Sequence, residues 1–114
     1  MITLYHRPTC SKSRAAKKLL DDSKVKYELI NYTENPLTVD EIKGLLKKLG
    51  MSARDLLRTK EEIYRRLNLA DKALTNDQLL RSMANNPELI ERPIIVKGKK
   101  AVIGKPIENL KALL

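Results

Sequence analysis

A short apolar run, Ile2-Thr3-Leu4-Tyr5, leads through Pro8 and Thr9 to Cys10, and a helical repeat opens directly afterwards at Ser11. Ala15, Ala16, Leu19 and Leu20 fall at helical spacing, with Lys12, Arg14, Lys17 and Lys18 opposite. Asp21-Asp22-Ser23 ends the repeat, with Lys24 in the turn. Val25 to Tyr32 then alternates, Val25, Tyr27 and Leu29 against Lys26 and Glu28, which predicts a second strand. Strand, helix and strand within about 30 residues predict a βαβ unit, two parallel strands joined by a right-handed crossover. Cys10 therefore stands where a strand gives way to a helix N-terminus. Unpaired backbone N–H groups and the helix dipole favour an anion there. The thiolate is the reactive form of cysteine, so the position lowers its pKa and activates it.

Cys10 is the only cysteine and His6 the only histidine of 114 residues. One cysteine excludes an internal disulfide, and the pair leaves too few soft ligands for a metal centre. Any redox cycle through Cys10 must draw a second thiol from another molecule. Lys and Arg number 23 against 14 Asp and Glu, a net charge of +9, which favours anionic partners. The basic residues are scattered, however, and the four aromatics are all tyrosines. Stacking platforms of the kind single-stranded nucleic acids use are missing, so a solvated basic surface is favoured over a nucleic-acid site. No apolar run approaches the length of about 20 residues that crosses a bilayer. No signal-peptide pattern opens the chain, and the expected compartment is the cytoplasm.

Further along, Thr38-Val39-Asp40-Glu41, Thr59-Lys60-Glu61-Glu62 and Thr75-Asn76-Asp77-Gln78 read as capping boxes. Ile42, Leu45, Leu46 and Leu49 make the first apolar stripe, with Gly50 as its C-terminal cap. Ser52 opens a short turn carrying Ala53, Leu56 and Leu57. Ile63, Tyr64 and Leu67 follow the second box, and Leu79, Leu80 and Met83 follow the third, with a stop near Asn86-Pro87. Residues 38–86 thus read as a helical insertion in a single domain of residues 1–114. Pro93-Ile94-Ile95-Val96 and Lys100-Ala101-Val102-Ile103 flank Lys97-Gly98-Lys99 and predict a hairpin. Pro106 opens a last helix whose inner face is Ile107, Leu110 and Leu113 or Leu114. The fold class is α/β, in the order β-α-β, helical insertion, β-β-α.

That order is similar to the thioredoxin or glutaredoxin plan, a mixed four-stranded sheet, with helices inserted between its halves. The segment Tyr5-His6-Arg7-Pro8-Thr9-Cys10-Ser11-Lys12-Ser13-Arg14 resembles the active-site segment of ArsC-type arsenate reductases. Glu34-Asn35-Pro36, Leu56-Leu57-Arg58 and Glu91-Arg92-Pro93-Ile94-Ile95-Val96 resemble that family's later signatures in the expected order. The resemblance implies a glutathione- and glutaredoxin-coupled reductase without a bound cofactor. Cys10 would attack an oxyanion such as arsenate, held by Arg58 and Arg92. A guanidinium suits that role, because it is charged at all working pH values and donates two parallel hydrogen bonds. Lys105 stands where the family has a third arginine, keeping the charge but losing the fork. The resemblance also implies a cis peptide before Pro93, beside the active cysteine.

Ser13 occupies the place where a dithiol enzyme keeps its resolving cysteine, and its hydroxyl is expected to hydrogen-bond the thiolate. His6 either caps the strand or faces solvent, or, placed near Cys10, tunes the thiol or supplies a proton, as the family resemblance implies. Arg7, Lys12 and Arg14 raise the local positive potential without specific contacts. Two other functions stay open. One is a glutathione-dependent thiol transferase that does not act on arsenate. The other follows from a resemblance to Spx-type regulators, which bind RNA polymerase; their Cys-x-x-Cys switch is replaced here by Cys10 and Ser13.

Overall fold

The computed structural model describes residues 2–104 and 107–114, which fall into two compact units, residues 1–35 with 92–114 and residues 36–91. In the first unit, β1 (Ile2–His6), α1 (Ser11–Asp22) and β2 (Tyr27–Asn31) form the expected βαβ unit. The strands β3 (Ile94–Lys97) and β4 (Lys100–Ile103) and the short helix α6 (Glu108–Lys111) complete it. The sheet order is β2-β1-β3-β4, with β1 parallel to β2 and antiparallel to β3. This is the mixed four-stranded, thioredoxin-like sheet that the element order predicts. Lys97 pairs with Lys100 across the hairpin, and Gly98 adopts the positive φ of 63° that the turn requires.

The core of this unit joins Ile2 and Leu4 of β1, Ala16 and Leu20 of α1, Ile95 of β3, and Leu110 and Leu113. Two helical positions depart from the expected stripe. Ala15 is exposed, and Ser13, a polar residue, takes a fully buried place on the inner face of α1. Of the two C-terminal leucines, Leu113 is buried and Leu114 exposed. Leu29 is exposed as well. Its register partner is the buried Leu4, but β2 is an edge strand and the core residues crowd the sheet's centre.

The second unit is helical: α2 (Val39–Leu49), α3 (Ala53–Leu56), α4 (Glu62–Arg66), α5 (Asn76–Asn85) and a single 3₁₀ turn, Pro87–Leu89. Thr38 and Thr75 form the expected capping boxes with Glu41 and Gln78, and Ser52 forms another with Asp55. Gly50 ends α2 in the left-handed conformation, φ 68°. The box expected at Thr59 is absent. α4 begins later, with Glu61 at its N-cap and no side-chain cap. Glu62, the glutamate such a box would use, is bonded instead to Arg66, its Oε1 3.1 Å from Nη2, and Glu61 pairs with Arg58, its Oε1 3.3 Å from Nε. A bridge between Leu57 and Ile90, with Arg58 N–H donating to Leu89 O at 2.7 Å, ties α3 to the end of the unit. Among the described residues no helix is long and apolar enough to cross a membrane.

Candidate active site

The parallel register sets His6, the last residue of β1, beside Asn31, the last of β2. The antiparallel register sets Tyr5 beside Ile94, the first residue of β3. Chain leaving β1 and β2 and chain entering β3 therefore meet at one edge of the sheet, and each carries polar side chains to it.

From β1 comes the Arg7–Cys10 turn. Cys10 N–H donates to Arg7 O at 3.0 Å, and the Arg14 guanidinium donates to Pro8 O at 2.9 Å. Cys10 is the N-cap of α1, with extended φ, ψ of −93° and 122°, and its carbonyl accepts the Arg14 N–H. An N-cap residue normally offers a side-chain oxygen to the orphan N–H groups of the first turn. At Cys10 no side chain closes the cap; the half-buried thiol sits close enough to the first turn for the Ser13 and Lys12 backbone N–H groups to act on it. Burial pushes the thiol's pKa up. The Ser13 N–H, the Arg92 side chain and the Lys12 N–H together outweigh it, so the net direction is downward from 9.0. Hydrogen bonding at a helix N-terminus and an adjacent guanidinium are the two ordinary means of stabilising a thiolate.

Ser13 is at the site, with its two ends assigned differently from the expectation. Its backbone, rather than its hydroxyl, serves the sulfur. The hydroxyl lies 2.6 Å from His6 Nδ1 and accepts the Arg7 N–H at 3.0 Å. His6 is buried, at 5% exposure, so it does not cap the strand in solvent, and its ring bonds Ser13 rather than the sulfur. Burial and the nearby Lys17 and Arg14 charges lower its pKa below 6.5, against the opposing effect of the Ser13 bond. His6 is thus neutral at pH 7. Arg14, expected to add only potential, makes a specific contact through its guanidinium to Pro8 O.

Arg92 precedes β3 through a cis peptide to Pro93, as the resemblance implies. It is 6% exposed, and its guanidinium hydrogen-bonds the Cys10 sulfur. Tyr32, the first residue after β2, is fully buried and shares a hydrogen bond with Arg92. Nothing in the sequence marks Tyr32, since a tyrosine at the end of an alternating strand reads as ordinary core. Arg58 belongs to the other unit, where it follows α3 and pairs with Glu61. Lys105 and Pro106 lie outside the described residues.

The ArsC family profile matches residues 5–113, from the end of β1 past α6. The chain belongs to the ArsC family. It is 43% identical over 114 residues to an arsenate reductase of Neisseria meningitidis serogroup A, covering 99% of this chain and 97% of that one. It is 46% identical over 110 residues to the uncharacterized protein YfgD of Escherichia coli K12, covering 96% and 92%. A solved arsenate reductase structure from Vibrio cholerae superposes with a TM-score of 0.96 at 41% identity, covering 99% and 97%. These relatives are thus matched along almost their whole length, so the Cys10 turn and the Arg92-Pro93 segment both lie inside the shared region.

Proposed function

We propose that this ArsC-family protein is a thiol-dependent oxidoreductase that reduces arsenate. The observation that carries the reading is the Cys10 sulfur at a helix N-terminus with the buried Arg92 guanidinium bonded to it. A nucleophile and an anion clamp on one sheet edge suit attack on an oxyanion. The thiolate would attack arsenic(V), forming an S–As bond, and one arsenate oxygen would leave as water after taking up a proton. Arg92 offsets the repulsion between thiolate and oxyanion, and Arg58 and Lys105 are candidates to hold the remaining oxygens.

Reduction to arsenic(III) takes two electrons. Two thiols supply them, and the sulfurs end as a disulfide: arsenic acid and two thiols give arsenous acid, a disulfide and water. Cys10 is one thiol, and a single-cysteine chain must receive the other from outside. Glutathione is the small thiol we assign to that step, with glutaredoxin reducing the resulting mixed disulfide. No resident cofactor is needed. Such a cycle belongs in a reducing compartment, the cytoplasm.

The test couples arsenate to NADPH oxidation through glutathione, glutaredoxin and glutathione reductase. Wild type should turn over arsenate, and Cys10→Ser should reduce the rate to background. Equal rates would sink the arsenate assignment. Lys105, in place of a family arginine, favours one second reading, a glutathione-dependent thiol transferase. Rapid glutathionylation of Cys10 by mass spectrometry, without arsenate turnover, would select that reading. A regulator built on polymerase binding would instead be recognised by its retention on immobilised RNA polymerase.

A further inference from the structure

We propose that Tyr32 is a positioning residue for Cys10: its buried hydroxyl oxygen accepts a hydrogen bond from the Arg92 guanidinium and holds that group against the sulfur. The topology brings the three together. Tyr32 is the first residue beyond β2, Cys10 lies four residues beyond β1, and Arg92 lies two residues before β3. The registers His6 with Asn31 and Tyr5 with Ile94 align those strand ends. Tyr32 is 0% exposed and Arg92 6%, so neither can satisfy its polar atoms chiefly from solvent. A buried tyrosine hydroxyl requires a partner, and a guanidinium only donates, so the bond runs from Arg92 to the Tyr32 oxygen. Arg92 has a second bond to the Cys10 sulfur. One planar group thereby serves both partners.

The choice of tyrosine has a chemical consequence. A carboxylate in this place would hold Arg92 equally well but cancel its charge. Burial, against the pull of Arg92 and Arg7, pushes the Tyr32 hydroxyl up to about 12, so it remains a neutral acceptor at all working pH values. Arg92 is thus oriented while its positive charge remains available to the thiolate and to an arriving anion. Tyr32 acts on the sulfur through Arg92.

The proposal rests on Cys10 being the nucleophile, and it can be read without arsenate. The experiment follows iodoacetamide alkylation of Cys10 against pH in wild type, Tyr32→Phe, Arg92→Ala and the double variant. Tyr32→Phe should move the inflection to higher pH, lowering the rate below it about threefold or more. In the Arg92→Ala background the same change should add nothing. An unshifted inflection in Tyr32→Phe, or an equal shift with Arg92 already removed, overturns the proposal. A second measurement needs no variant at position 32: the Arg92 guanidinium N–H resonances of wild type should show hindered rotation and slow exchange. Free rotation overturns it. Loss of arsenate turnover with the Tyr32 effect intact would count against the arsenate reading alone.

Discussion

His6 Nδ1 and Ser13 Oγ stand 2.6 Å apart in a buried pair that joins the end of β1 to the first turn of α1. The same hydroxyl accepts the Arg7 N–H at 3.0 Å. The Ser13 oxygen receives Arg7 whichever way the His6 bond runs, and the direction of that bond is set by the tautomer of the neutral ring. Ser13 therefore shapes the turn with its side chain while its backbone N–H addresses the Cys10 sulfur.

Ser13→Ala should separate these two tasks. It leaves the buried Nδ1 and the Arg7 N–H without their partner, which destabilises by about 1–3 kcal/mol. The backbone N–H aimed at the sulfur is retained. Urea unfolding should show the loss, while the pH at which Cys10 alkylation inflects should move much less than in Arg92→Ala. A shift as large as that of Arg92→Ala would mean that the hydroxyl serves the thiolate after all.

The His6 pair also sets a pH dependence of stability. Burial lowers the folded pKa of His6 below 6.5, so the fold prefers the neutral ring. Between the folded value and 6.5 the unfolded chain binds more protons, and stability rises with pH. The contribution is complete above 6.5 and is lost as pH falls through the folded value. Because His6 is the only histidine, its ring Hε1 gives one NMR titration curve. A midpoint at or above 6.5 would contradict the assignment. His6→Asn should flatten the dependence of the urea midpoint over the same window.

Much of this was legible in the residue pattern, and the failures have physical causes. The βαβ unit, the hairpin and the caps at Thr38 and Thr75 rest on local chemistry that neighbours in sequence determine. Thr59 carries the same pattern, yet the glutamate three residues on, Glu62, is bonded to Arg66. A local rule lost there to a competing charge. Cys10 was legible because a strand-to-helix junction is a local feature. The partnership of Tyr32 with Arg92 was not, since it depends on strand register across sixty residues of chain, which no spacing encodes. The role of Ser13 was half legible: its place was right, but which of its two donors faces the sulfur is a matter of rotamer.

Arg92 is the charge on which thiolate activation depends most directly. Arg92→Ala removes both a donor to the sulfur and the positive field beside it. The alkylation inflection should rise toward 9.0, the thiol's ordinary value. Arsenate reduction should fall by about a hundredfold or more, the usual loss when one preorganised donor to a reacting anion is removed. Arg92→Lys restores charge without the planar fork and should recover the inflection better than the turnover. Equal recovery of both would show that the fork is not used.

Gly104, the first residue after β4, is held against the Arg92-Pro93 segment and tests how tightly that segment must be seated. Its N–H donates to Pro93 O at 2.8 Å. A Cβ at this position would lie 2.9 Å from Pro93 Cγ and 3.1 Å from Ile95 Cδ1. Neither neighbour yields readily, because one is a closed ring and the other is fully buried in the sheet core. Gly104→Ala should therefore destabilise by about 1–3 kcal/mol, the range for an added methyl in a packed interior. If the strain is relieved by displacing Pro93, Arg92 moves with it and Cys10 alkylation slows below its inflection. If it is relieved at Gly104 itself, the urea midpoint falls and the alkylation profile stays in place. An unchanged midpoint would show that the contact is not tight.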